Sequence, residues 1–197
     1  MTSDAPRSYP RTVDCDGIAV ELRRMGAADQ AAVLAFTQSL PVHDLLSMRR
    51  DVRQPKVVAA WVRAIDEDRV ASLVAVRDGA VIGTTAIVHD ALSWSSHVGE
   101  LRIALSPGFR GKGLGRVLTQ ECFAMALELG LEKLTALMTV DQRAAIAVFE
   151  TLGFRPEALL RGYVKDSAGE VHDIVVLSHD VARFQAQQAA YGVTDAL

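Results

Sequence analysis

The chain has 197 residues, half of them hydrophobic and 23% charged, which is enough for one domain with a full core that needs neither metal nor disulfide support. Its 21 basic and 24 acidic side chains leave a net charge of −3, which excludes the overall basic footprint of a nucleic-acid or anionic-membrane binder. Cys15 and Cys122 are the only cysteines, too few for a disulfide framework, and no run approaches the roughly 18 apolar residues of a membrane span. The first sixteen residues, MTSDAPRSYPRTVDCD, lack the apolar core of a secretion signal, so the expectation is a soluble, cytoplasmic protein.

Those polar, Pro-containing residues 1–16 predict a flexible N-terminal segment. An acting domain is expected over 17–181 and a Gln/Ala-rich tail over 182–197. From Ile18, IAVELRRM alternates as a strand. Asp29 is placed to cap a helix that turns Ala32, Val33, Leu34 and Phe36 inward. After the irregular stretch SLPVHDLLSMRRD, Pro55 opens a second helix with Val58, Trp61, Val62 and Ile65 at helical spacing.

VASLVAV (70–76) and AVIGTTAIV (80–88) are β-rich runs around Asp78-Gly79, the signature of a tight hairpin. A further strand over 98–105 leads into RGKGLG (110–115). Leu114, Val117, Leu118, Cys122, Met125 and Leu129 then form one helical stripe that stops at Gly130. KLTALMTV reads as a strand, Arg143 to Leu152 as a short helix closed by Gly153, and the stretches ALLRGYV and VHDIVVL as a last hairpin across Asp166 to Gly169. The order β-α-α-β-β-β-α-β-α-β-β is an antiparallel meander followed by a β-α-β unit, an α/β (α+β) fold.

In RGKGLG, glycines that lack Cβ precede a helix N-terminus, where unpaired N–H donors and the positive end of the helix dipole collect. Such a place binds phosphate, and Arg110, Lys112 and Arg116 add three positive charges. The spacing rules out two named loops. A phosphate loop of the G-x-x-x-x-G-K-[ST] type is absent, and Gly111, Gly113 and Gly115 are out of register with the dinucleotide fingerprint G-x-G-x-x-G.

The stretch Arg110 to Gly115 resembles the [RQ]-x-x-G-x-[GA] segment of the GNAT superfamily of N-acetyltransferases, with Pro107 where that family often has one. Downstream, Gln142 to Phe154 (QRAAIAVFETLGF) is similar to the family's N-x-x-A-x-x-x-Y-E-x-x-G-F segment, and the likeness extends over about residues 18 to 180. It implies a mixed, mostly antiparallel sheet of about six to seven strands, splayed at the middle and flanked by about four helices.

It also implies acetyl-CoA as co-substrate and an amine-bearing acceptor, small molecule or protein. The N–H groups from Arg110 through Gly111, Lys112, Gly113, Leu114 and Gly115 to Arg116 would cradle the pyrophosphate. The pantetheine arm would lie beside Ile103, Ala104 and Leu105, with an N–H near Leu105 meeting the oxyanion. Gln142 stands at the family's Asn position and Phe149 at its frequent Tyr position, both against the cofactor.

Transfer to an amine needs a neutral nucleophile. At pH 7 a lysine-like amine of pKa about 10.4 carries a penalty near 4.6 kcal/mol, against about 1 kcal/mol for an α-amine of pKa about 7.8. By resemblance Glu100, on the strand before the glycine loop, is the candidate base; the alternative is a structural carboxylate paired with Arg102 or another cation. Phe149 cannot donate a proton to the departing thiolate. Tyr163, on the neighbouring hairpin, is the candidate substitute, or else a packed Tyr.

The segment Leu40 to Arg53 lies where these enzymes usually wall the acceptor. His43, Arg49 and Arg50 are its candidate contacts, the two arginines gripping an acidic acceptor or forming a solvated turn. Trp94 would rim that pocket or cover the sheet. The His-Asp dipeptides at His43, His89 and His172 match no metal-site spacing, so no metal is expected. Cys122 falls inside a helix, so no covalent cysteine intermediate is invoked. A homodimer is left open, and the rival reading is a non-catalytic acyl-CoA-binding or regulatory module.

Overall fold

The computed structural model describes residues 7–182. Its strands are β1 (Arg11–Cys15), β2 (Ile18–Arg24), β3 (Val70–Arg77), β4 (Ala80–Val88), β5 (Val98–Leu105), β6 (Lys133–Thr139), β7 (Arg155–Lys165) and β8 (Val171–Asp180). Its α-helices are α1 (Gln30–Ser39), α2 (Pro55–Asp66), α3 (Leu114–Glu128) and α4 (Arg143–Thr151). The strands form one sheet in the order β1-β2-β3-β4-β5-β6-β8-β7. Every neighbouring pair is antiparallel except β5 and β6, which are parallel.

That exception positions the site. Pairing of β5 with β6 runs from Val98↔Lys133 to Leu101↔Ala136 and stops, although β5 continues to Leu105 and β6 to Thr139. From Arg102 onward β5 keeps β4 as its partner on one edge and has none on the other. The expected splay is therefore present, in a mixed, mostly antiparallel sheet.

Alternation along the strands assigns the two faces. Leu73, Leu101, Leu134 and Ala136 pack with Cys122, Met125 and Phe149 of α3 and α4. Val74 packs with Val33 of α1 and with Val58 and Val62 of α2, and Ala104 with Phe36, Leu40 and Leu45. Glu100 and Arg102, in phase with Ala104 along β5, face the α1–α2 side.

Local chemistry explains the punctuation. Asp78 and Gly79 both have positive φ (50° and 77°), as a two-residue type I′ hairpin requires. Pro55 opens α2 at its first position, where a missing N–H costs nothing. Gly130, at φ 67°, ends the α3 region.

The sheet has one strand more than expected, because order begins before Ile18. Arg11–Cys15 is a strand paired in full register with Ile18–Leu22, so the flexible segment expected over 1–16 is corrected for these residues. Its anchor is a buried carboxylate. Glu121 of α3, 2% exposed, accepts from Tyr9 Oη at 2.6 Å and pairs with Arg7 Nη1 at 2.5 Å and Arg11 Nη1 at 3.3 Å. A polar segment thus acquires order from charge partners far away in sequence. The tail expected over 182–197 falls, beyond Ala182, outside the described residues.

Two smaller expectations are corrected. Asp29 stands at the N-cap of α1, but its side chain does not cap it. Both oxygens accept from Arg23, at 2.5 and 2.8 Å, and one also accepts the Gly26 N–H, because a buried carboxylate gains more from a guanidinium than from one N–H. Ala32 is exposed while Val33 and Phe36 carry the inward face.

Burial, and after it the hydrogen bond to Glu121, raises the Tyr9 phenol well above its ordinary value. The folded chain holds that proton more tightly than the unfolded chain, so the stability linked to it is complete below a pH of about 10 and drains away as pH rises further. The urea midpoint of the native protein is therefore expected to fall more steeply than that of Tyr9→Phe between about pH 10 and 12. Parallel pH profiles would show that Tyr9 carries no such linkage.

Candidate active site

The divergence of β5 and β6 opens a cleft of about 570 Å³, lined by Leu101–Leu105, by Ala136–Met138, by the glycine loop and by the first turns of α4. At its head, Gly111 and Gly113 adopt φ values of 71° and 77°, and Gly113 is the N-cap of α3. These left-handed turns present a row of donors. The N–H groups from Gly111 to Arg116 make no backbone hydrogen bond among the described residues, the first being that of Val117 to Gly113 O at 3.0 Å. Six such amides at a helix N-terminus are suited to meeting an anion.

Side chains divide the loop further. Arg110 and Arg116 line the cleft; Lys112 lies over the Phe109 ring at 5.3 Å, and Leu114 is fully buried, so Leu114 offers only its backbone. Ile103, Ala104 and Leu105 line the wall whose strand edge is unpaired. Gln142, the N-cap residue of α4, and Phe149 line the opposite wall. Phe149 is 6% exposed and packs on Phe154 at 4.8 Å, which makes it an apolar wall with no proton to give.

Glu100 sits at the closed end of the splay. Its Oε2 accepts from Arg49 Nε and its Oε1 from Arg102 Nε, both at 2.7 Å. Of the readings open for it, the structure displays the paired carboxylate, which also lines the cleft. Tyr163 is half exposed and lies against Arg49, not in the cleft lining. Arg49 is held strongly cationic, first by Glu100 and then by Tyr163.

Among the other predicted contacts, Arg50 is exposed and lines neither this cleft nor the adjoining one described below. His43 reaches the site through a partner that sequence reasoning missed: its Nε2 lies 2.7 Å from Asp141 Oδ2 and its ring 5.3 Å from that of His172. Thr139, ahead of His43, keeps the Asp141 carboxyl below its ordinary range. Trp94 is fully exposed and covers no part of the sheet, although Ser93 and Ser95 beside it line the adjoining pocket. Cys122 is completely buried and burial pushes its thiol up to about 12, which suits a core residue and not a nucleophile.

The turn Val42–Leu45 straps the mouth of the cleft. Asp44 pairs with Arg110 of the glycine loop, and His43 with Asp141 ahead of α4. Asp44 therefore holds a cation that the cradle would offer to an anion. Asp44→Asn is expected to tighten coenzyme A binding about two- to five-fold, the range of an exposed ion pair, as read by calorimetry at low salt. Unchanged affinity would show that Arg110 takes no part in anion binding.

Residues 38–154, more than half of the chain, match the acetyltransferase (GNAT) family. The chain belongs to that family. Over 83 residues it is 29% identical to YwnH of Bacillus subtilis (strain 168), named as a candidate phosphinothricin acetyltransferase; the match covers 42% of this chain and 50% of YwnH, so it spans about half of that relative. In fold it is similar to a phosphinothricin acetyltransferase from Sinorhizobium meliloti solved with AcCoA, with a TM-score of 0.70, 23% identity, and coverage of 82% of this chain and 88% of that one. It is likewise similar to a ribosomal-protein-alanine N-acetyltransferase from Brucella melitensis, with a TM-score of 0.70, 24% identity, and coverage of 81% and 98%. Among the described residues no helix of this GNAT chain is long and apolar enough to cross a membrane.

Proposed function

We propose that this GNAT chain is an acetyl-CoA-dependent N-acetyltransferase that moves an acetyl group to an amine by direct transfer in a ternary complex. The observation that carries the reading is the cradle of six unpaired N–H groups opening onto the cleft where β5 and β6 part. A diphosphate fits that cradle, with Arg110 and Arg116 beside it. A pantetheine arm fits the strand edge at Ile103–Leu105, with the Gln142 amide and the Phe149 ring opposite.

The thioester would then lie near the end of β5–β6 pairing. There the amine lone pair attacks the carbonyl carbon, the new C–N bond forms, the C–S bond breaks, and the sulfur leaves as thiolate. An N–H from the unpaired edge near Leu105 meets the developing oxyanion, a contribution typically worth about 2.7–4 kcal/mol. The proton released from nitrogen passes through water to a free lone pair of Glu100. With Phe149 in the wall and Tyr163 outside it, solvent protonates the thiolate, whose pKa near 8.5 makes it a stable leaving group.

The named relatives include phosphinothricin and ribosomal-protein-alanine acetyltransferases, so the acceptor has to be argued from this chain's own pocket. A cytoplasmic location and a homodimer belong to the same proposal. Leu159, Tyr163 and Val171, each about half exposed on the edge hairpin, supply an apolar face for a second copy. The test is to incubate the purified protein with acetyl-CoA and an amine panel, following thiol release and the mass of the acetylated amine. Release with matching product supports the enzyme. Coenzyme A binding without release from any amine favours an acyl-CoA-binding module, a reading that Phe149 and Gln142 keep open.

A further inference from the structure

Beyond Glu100, on the side away from the glycine loop, lies a second compartment of about 470 Å³, within the usual size of small-molecule sites. It is walled by the ends of β3 and β4, by the loop around Ser93 and Ser95, and by Arg49 and Arg102. Glu100 and Arg102 line both spaces, so the compartment adjoins the point where the thioester would be presented.

Its charges are unevenly placed, with two arginines gathered on Glu100 and the acidic Asp90 exposed elsewhere in the lining. Arg69 is engaged by Glu67 through two nitrogens. Asp90 uses one oxygen on the Leu92 N–H of its own turn. Arg49 and Arg102, by contrast, share the single carboxylate of Glu100, each spending its Nε there. At Glu100 two guanidiniums share one carboxylate, a local positive surplus, while the negative charge of Asp90 stands apart on its exposed turn. The Arg102 side chain makes no other hydrogen bond among the described residues and is only 25% exposed. Its terminal N–H groups are thus pre-oriented, partly shielded from water, and shaped for two-pronged contact with a carboxylate, phosphonate or phosphate.

We infer that this compartment is the acceptor site and that the acceptor is an amine carrying an anionic group at its other end, held by Arg102 and Arg49 while Glu100 fixes both guanidiniums. The inference rests on the acetyltransferase reading. A polyamine would meet the paired guanidiniums at Glu100 with like charge; the anionic end of an acidic amine matches them. In this arrangement Glu100 has a positioning role in addition to any proton transfer.

The experiment compares acceptors matched in length and differing by one charge: L-glutamate with L-glutamine, and ω-amino acids of three to six carbons with their amides. Spermidine serves as the cationic comparison. Direct binding in the presence of coenzyme A is measured by ligand-observed NMR, and turnover by thiol release. Acids are expected to be preferred over amides about ten- to a hundred-fold in affinity or in kcat/KM. Arg102→Gln and, on the loop, Arg49→Gln should bring that ratio toward one, with Arg102→Lys keeping part of it.

Preferential binding of acids without turnover would uphold the site and sink the enzyme reading. Turnover with amides or spermidine equal to or better than acids would do the reverse. Binding of no acceptor, or variants that leave the acid-to-amide ratio unchanged, would overturn the inference.

Discussion

Gly113→Val is expected to weaken coenzyme A binding by at least about a hundred-fold while the protein stays folded. The backbone at this position, φ 77°, is the left-handed turn that starts α3, and a Cβ built there meets no protein atom within 4 Å. The space it would fill belongs to the anion cradle, not to the core. The cost to the fold is that of forcing a β-branched residue into left-handed backbone, about 1–3 kcal/mol, or several degrees of melting temperature.

Gly79 supplies an internal control, since it also has φ 77° with nothing within 4 Å, in the β3–β4 turn away from the cleft. Gly79→Val should lose similar stability and keep its cofactor affinity. Calorimetric titration of both variants decides the matter. Unchanged affinity in Gly113→Val would move the phosphate site elsewhere, and equal losses in both would show a global effect.

The largest expected effect on stability is at Glu121. Glu121→Ala strands the Tyr9 hydroxyl and removes the carboxylate shared by Arg7 and Arg11. Breaking a buried ion pair from one side typically costs about 3–5 kcal/mol. Here Arg7 and Arg11 retain 27% and 39% exposure, so water recovers part of the loss and about 2–3 kcal/mol is expected. Glu121→Gln, which still accepts from Tyr9, should lose less. Urea unfolding measures both, and a double-mutant cycle with Tyr9→Phe isolates the hydroxyl contact. A loss under about 0.5 kcal/mol for Glu121→Ala would mean that the N-terminal strand does not depend on this anchor.

The fold was legible wherever local chemistry has only one outcome. Asp78-Gly79 can be little but a hairpin turn and Pro55 suits a helix start, and both stand as read; the Leu114–Leu129 stripe is covered as far as Met125, while Leu129, past the end of α3, is 40% exposed. The glycine loop was legible for the same reason: glycines at positive φ before a helix leave amides unpaired whatever surrounds them.

Pairings between distant residues were not legible. Nothing near Arg11 announces Glu121, 110 positions away, so a polar stretch looked mobile until the fold supplied its counter-charge. Likewise the role of Glu100 depends on Arg49 arriving from a loop 51 positions earlier, and His43 meets Asp141 only because the Val42–Leu45 turn crosses the cleft mouth. By itself, then, the sequence determined the periodic elements, the turns and the anion cradle, because backbone sterics and unpaired amides act within a few residues. Only the tertiary structure decided which charges meet and what surplus faces the second compartment, because Coulomb energies depend on separation in space and on shielding from water, neither of which is written along the chain.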